Sequence, residues 1–220
     1  MCTQSRLLLI TLIVVALPVS LQAQNLNIDF GAYFGTPSDA FGAASGQTGR
    51  WNTVGLGATY NLENTSTAPT AVSITVTAQT AGGYGNGCAW GTDLNNLMAD
   101  NFYVQGGMWE VTLAGLANGS YEVFLYAPNN DSVGSGTMLI NGIAVVEIPG
   151  DIFCDMTDGY GSTMVEVEVV NGSLSMMGDS VGTWRFYAGL AGVQLKKAAD
   201  EIFINGFESG DTSAWSSTVP

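Results

Sequence analysis

Between Trp109 and Met177 the chain alternates apolar and polar residues, run after run, with glycine turns between the runs. Trp109, Val111 and Leu113 alternate with Glu110 and Thr112; Val165, Val167 and Val169 alternate with Glu166 and Glu168. Successive side chains of a strand point to opposite faces, so this pattern builds sheets with one buried and one wet face. Asn-Gly interrupts two of the runs, at Asn141-Gly142 and Asn171-Gly172. That dipeptide accepts the positive φ values of a tight hairpin turn. The expected fold class is all-β, an antiparallel β-sandwich of jelly-roll type, because short strands recur at turn-separated intervals without βαβ alternation.

Residues 1–23 read as a signal peptide. Arg6 supplies the basic start, LLLITLIVVAL the apolar stretch and Leu21-Gln22-Ala23 the cleavage site. The apolar run falls short of the about 20 residues a spanning helix needs. The expected localisation is therefore secreted, extracellular or at the cell surface, with no membrane insertion after cleavage. Residues 24–197 are expected to form the sandwich domain, and residues 198–220 a linker and C-terminal tail.

Loss of Arg6 with the leader leaves four basic residues against 19 acidic ones, a net charge of −15. Nucleic acid and anionic lipid both require Lys/Arg clusters, so neither is an expected partner. Cys2 leaves with the leader, and the even pair that remains, Cys88 and Cys154, is expected to form a disulfide in an exported chain. Closing that loop would stabilise by roughly 4 kcal/mol in the chain-entropy account.

The remaining strands are read in the same way. Asn25–Phe30 presents Leu26, Ile28 and Phe30 on one face, and Ala71–Thr77 presents Val72, Ile74 and Val76. Met108–Leu113 is expected to pair with Ser120–Tyr126, Thr137–Ile140 with Ile143–Ile148, and Met164–Val170 with Ser173–Met177; Arg185–Leu195 closes the domain. Asp93–Asp100 is the one helical turn, with Leu94, Leu97 and Met98 on one side and Asp93 as its N-cap. Gly31–Gly49 and the glycine-rich Gly82–Gly91 read as loops.

The order NIDFG, GRWNTV, LMADNFYV, TLAGLANGSYEVFLYA and AGLAGVQL, across residues 27–195, resembles a galactose-binding-like jelly-roll domain of secreted bacterial proteins. The resemblance implies the sandwich fold, on which lectin-like, adhesive and purely structural modules all occur. The end of the chain, IFINGFESGDTSAWS, resembles a terminal segment recurring on secreted gammaproteobacterial proteins, with Asn205 where that segment usually carries Asp.

The chain has no histidine. That removes Ser-His-Asp and Cys-His catalysis and His-ligated zinc. Paired carboxylates, as glycosidases use, are still available, but no acid sits in a recognisable catalytic context. The expected function is a secreted non-catalytic binding module, carbohydrate-binding or adhesive, with a glycan or cell-surface polysaccharide as partner. The expected ligand site is the Cys88–Cys154 end, where Tyr84, Trp90, Phe153 and Tyr160 flank the cysteines and offer flat faces to sugar rings. Asp151, Asp155 and Asp158 share one glycine-containing loop and form a candidate structural calcium site, without EF-hand spacing. The alternative function is a structural extracellular subunit that self-associates in a matrix or surface assembly.

Overall fold

The computed structural model describes residues 24–31, 33–57, 59–83, 89, 91–128, 133–145, 148, 156, 161–180 and 187–198. In chain order the elements are β1 (Leu26–Phe30), β2 (Trp51–Val54), β3 (Thr59–Glu63), β4 (Pro69–Thr77), β5 (Thr80–Gly83) and α1 (Asp93–Met98). There follow β6 (Asp100–Val104), β7 (Met108–Ala114), β8 (Gly119–Tyr126), β9 (Val133–Gly134), β10 (Thr137–Ile140) and β11 (Ile143–Val145). The last four are β12 (Ser162–Val169), β13 (Ser173–Asp179), β14 (Tyr187–Leu190) and β15 (Gly192–Lys197).

The strands form an all-β sandwich. One sheet runs β12-β8-β15-β1-β2, the facing sheet β11-β10-β13-β7-β4-β3, and a smaller sheet β5-β6-β14-β9 adds to the same core. Pairing is antiparallel except for β1 with β2 and β14 with β9. The alternating residues follow their spacing: Val72, Ile74 and Val76, Trp109, Val111 and Leu113, and Val167 and Val169 are buried, and Val165 is partly buried against the same core. The β4 and β7 residues meet Ile28, Tyr121, Val123, Leu125 and Val193 of the opposite sheet, to which Val167 and Val169 also belong, in one cluster. Phe30, Phe102 and Trp109 join the small sheet to that cluster, with ring centroids 4.8 and 5.3 Å apart.

Three expectations of pairing are corrected. β7 and β8 lie in opposite sheets, as do β12 and β13; β14 and β15, read as one closing strand, belong to different sheets. A strand that buries one face shows the same alternation whether its successor pairs beside it or crosses the core, so the pattern alone does not choose. Of the two Asn-Gly turns only Asn141-Gly142 makes a hairpin, β10–β11, with φ of 46° and 82°. At Asn171-Gly172 the turn carries the chain from sheet to sheet, and the Gly172 N–H is held by Asn118 Oδ1 at 2.9 Å.

The helix also differs in detail. Its N-cap is Thr92, whose hydroxyl accepts from the Asn95 N–H at 3.2 Å, while Asp93 occupies the first turn. Asp100 ends the expected helix and instead opens β6.

Strand β1 departs most from its reading. All five of its residues are buried, so both faces are covered. Leu26, Ile28 and Phe30 face the main core, as expected. Over the other face lies the 31–49 segment together with α1. A second apolar cluster of Trp51, Leu97, Met98, Tyr126 and Ala191, with Phe41, Ala43 and Leu94 packed against it, fixes that cover. Each such side chain fully removed from water contributes about 1.5–3 kcal/mol.

Candidate functional site

The polar residues of β1 are sealed beneath this cover. Asn27 bonds Gln47 and Gln194 through its Oδ1, at 2.7 and 2.8 Å. Gln194 Oε1 in turn accepts from Ser45 Oγ at 2.7 Å and from the Tyr126 hydroxyl at 2.5 Å, and that hydroxyl accepts from the Ala44 N–H at 3.1 Å. This network fastens the middle of the 31–49 segment to the sheet. Burial raises the Tyr126 hydroxyl well above its ordinary ionisation range, against the lowering effect of its Ser45 and Ala44 bonds.

The early part of the segment is fastened to Asp100. The Phe34 N–H donates to Asp100 Oδ2 at 2.9 Å, and the Tyr33 N–H also bonds this carboxylate. Asn96 Nδ2 donates to the Thr36 carbonyl at 3.3 Å, and the Thr36 and Thr53 hydroxyls are bonded to each other. Thr53 stands opposite Asp29 in the β1–β2 register. Burial, and then the charge of Asp100, holds the Asp29 carboxyl well above the usual carboxylate range.

Beyond this tether the segment forms one wall of an open cleft of about 550 Å³. Thr36–Asp39 are the wall, Arg50–Thr53 one side and Asn61–Glu63 the other. The cleft lies where β2, the edge of the five-stranded sheet, meets β3, the edge of the six-stranded sheet. Asn52 stitches those edges together. Its Nδ2 donates to the Asn27 and Glu63 carbonyls at 3.0 and 2.8 Å, and its Oδ1 accepts from the Glu63 N–H at 2.9 Å. At Glu63 the side-chain amide thus satisfies edge backbone groups that a further strand would otherwise pair.

The wall is held as firmly. Asp93 accepts from both the N–H and the hydroxyl of Ser38, at 2.7 and 2.8 Å. Arg50 Nε pairs with Glu63 Oε2 at 3.1 Å, which leaves the terminal guanidinium nitrogens on a half-exposed side chain. Asp39, Arg50 and Asn61 are exposed at the rim. An anionic acceptor, a fixed cationic donor and an amide that does both are the complement of vicinal hydroxyls. The cleft's one aromatic side chain, Trp51, is buried, with its indole N–H on the Phe41 carbonyl at 3.1 Å.

Tyr84, Trp90, Phe153 and Tyr160, the cysteines Cys88 and Cys154, and Asp151, Asp155 and Asp158 all lie outside the described residues. Among the described residues no three acidic or cysteine side chains form a metal-binding group. The cleft was not read from the sequence. Its parts come from three separate stretches that no local spacing connects.

No family model matches the chain, and no curated protein does. Solved structures similar to it include the plant receptor-like kinase FER, at 11% identity over 80% of this chain and 42% of that one, with a TM-score of 0.46. A Bacteroides uniformis beta-glucuronidase matches at 11% identity over 68% of this chain and 20% of its own, TM-score 0.40. A family 35 carbohydrate binding module from Clostridium thermocellum matches at 10% identity over 57% of this chain and 92% of its own, TM-score 0.35. The chain spans about two fifths of the FER chains it matches. At these TM-scores the likenesses bear no weight on what the chain binds, and the fold stands on the strand pairing described above. Nothing among them supports the family reading of the tail at residues 202–216.

Proposed function

We propose that this chain is a secreted, non-catalytic module that binds carbohydrate in the cleft between β2 and β3. The observation that carries the reading is the rim of Asp39, Arg50 and Asn61 over a floor already immobilised by Asn52. A rim set on fixed backbone loses little freedom when a ligand arrives, which is what a shallow polar site needs for useful affinity. The acid in the rim and the chain's net charge of −14 favour neutral over anionic glycans.

Retention of the mature protein on neutral and acidic glycan arrays, followed by titration calorimetry, tests this. Arg50→Ala and Asn61→Ala are expected to weaken binding about tenfold or more while leaving Tm nearly unchanged, since exposed pairs such as Arg50–Glu63 contribute about 0–1 kcal/mol to stability. If Trp90→Ala and Tyr160→Ala abolish retention and the rim variants do not, the site belongs to the Cys88–Cys154 end instead. Failure to retain any glycan would remove the binding-module reading.

A further inference from the structure

The cleft offers a ligand hydrogen bonds but no exposed ring, since its Trp51 is buried. An exposed ring stands a short step away on the segment that forms the cleft wall. Tyr33 is 80% exposed, the most open of the large apolar side chains among the described residues. Phe34 meets it edge-on, with ring centroids 5.0 Å apart and planes at 73°. A lone surface aromatic is ordinary. What sets this one apart is how its backbone is fixed.

Asp93, Asn96 and Asp100 recur at i, i+3 and i+7, the spacing that returns side chains to one side of a helical path. Helix α1 and its exit into β6 thereby grip the 33–38 stretch at three points. Asp100 takes the Tyr33 and Phe34 N–H groups, Asn96 the Thr36 carbonyl, and Asp93 the N–H and hydroxyl of Ser38. Between the first two holds the chain turns at Gly35, φ 99°, where a Cβ would stand 3.7 Å from Asn96 Nδ2. Asp93 and Asp100 are seven steps apart on a mostly helical path, about 10 Å at the helical rise, so the holds on Tyr33 and on Ser38 are spaced by about that much. A single sugar ring is too short for that span; a short run of linked rings covers it.

From the exposed ring of Tyr33, on backbone tethered in line with the cleft wall, we infer that Tyr33 is the stacking platform of a second subsite, and that the ligand is a neutral oligosaccharide long enough to reach it from the rim of Asp39, Arg50 and Asn61. The inference rests on the carbohydrate reading of the cleft. A sugar ring lays its C–H face on an aromatic plane while its hydroxyls seek polar partners, so the rim takes the hydroxyls of one unit and Tyr33 the face of another. With its backbone already ordered, Tyr33 has only side-chain freedom to lose when the ligand arrives.

Titration calorimetry of the mature full-length protein with cello-, xylo- and manno-oligosaccharides, monomer through hexamer, tests this. Affinity is expected to rise with chain length and to level off once the chain reaches Tyr33. Tyr33→Ala should lower affinity for the longer members about tenfold, the worth of one aromatic contact, and leave the shortest members that bind unchanged. Tyr33→Phe keeps the ring and should keep the gain. Arg50→Ala, by contrast, should weaken every length alike. Wild-type affinity that ignores chain length would overturn the second subsite and leave the cleft standing. So would a Tyr33→Ala protein indistinguishable from wild type on a series that Arg50→Ala weakens. A large fall in Tm for Tyr33→Ala would assign the ring to packing and overturn it as well. Binding of no oligosaccharide here, and of none on the arrays, would remove the cleft reading and this inference with it.

Discussion

At the scale of single residues, the side chains that matter most are polar ones in buried places. Tyr126 gives a prediction with a definite sign. Its ionisation is raised on folding, so it supports the fold fully below its unfolded value, about pH 10, and loses that support as pH rises through the folded value. Thermal melts should therefore fall steeply above about pH 10, and tyrosinate absorbance from this residue should appear only with unfolding. Tyr126→Phe should cost about 1 kcal/mol near neutrality, by stranding the Ala44 N–H, and should flatten the alkaline slope. An unchanged slope would mean that other tyrosines set it. Gly31→Ala makes a second case, since strain at positive φ adds to the clash with Asp100. Urea unfolding should show a loss of about 2 kcal/mol or more. These residues were the least legible in the sequence. Asn27 and Asp29 occupy the positions of an alternating strand that ordinarily face water, and nothing local announces that residues 31–49 fold back over them. Asp100 lies far along the chain, and proximity created by tertiary folding leaves no spacing to read.

At the scale of elements, periodicity identified strands well and partners poorly. The β4, β7 and β12 alternations predicted which side chains are buried, because burial of one face is what alternation records. Short strands such as β3 and β6 escaped notice. In β6 the burial runs almost unbroken, so no period of two exists to detect. Helix α1 illustrates how one element serves two ends. Leu97 packs where a side chain on Gly192 would otherwise sit, while Asp93 and Asn96 hold the cleft wall. Leu97→Ala is accordingly expected to cost about 2–5 kcal/mol in denaturant unfolding and to weaken glycan retention in step with the loosened wall. A full loss of stability with retention intact would uncouple the helix from the cleft.

At the scale of the molecule, the described domain runs to Ala198, whose N–H bonds the Ser120 carbonyl at 2.9 Å. Among the described residues a chain ending at Lys197 gives up that bond, and it is expected to unfold within about 1 kcal/mol of the full protein. Differences in export, surface retention or self-association between the two forms would assign the tail to handling of the protein; unfolding of the shorter form would place part of it in the core.

The pairing of β1 with β15 sets Leu26 opposite Leu195, so the first strand of the domain completes its sheet only with the last. Nearly the whole domain must be available before that interior strand finds its antiparallel neighbour, and closing so long a loop comes before any reward from contact. A partly emerged chain therefore leaves β1 without its closing neighbour, and a chain stalled before β15 offers that strand's vacant edge to other chains. Premature stops within the final strand should thus show themselves as aggregation during synthesis, out of proportion to the few residues lost.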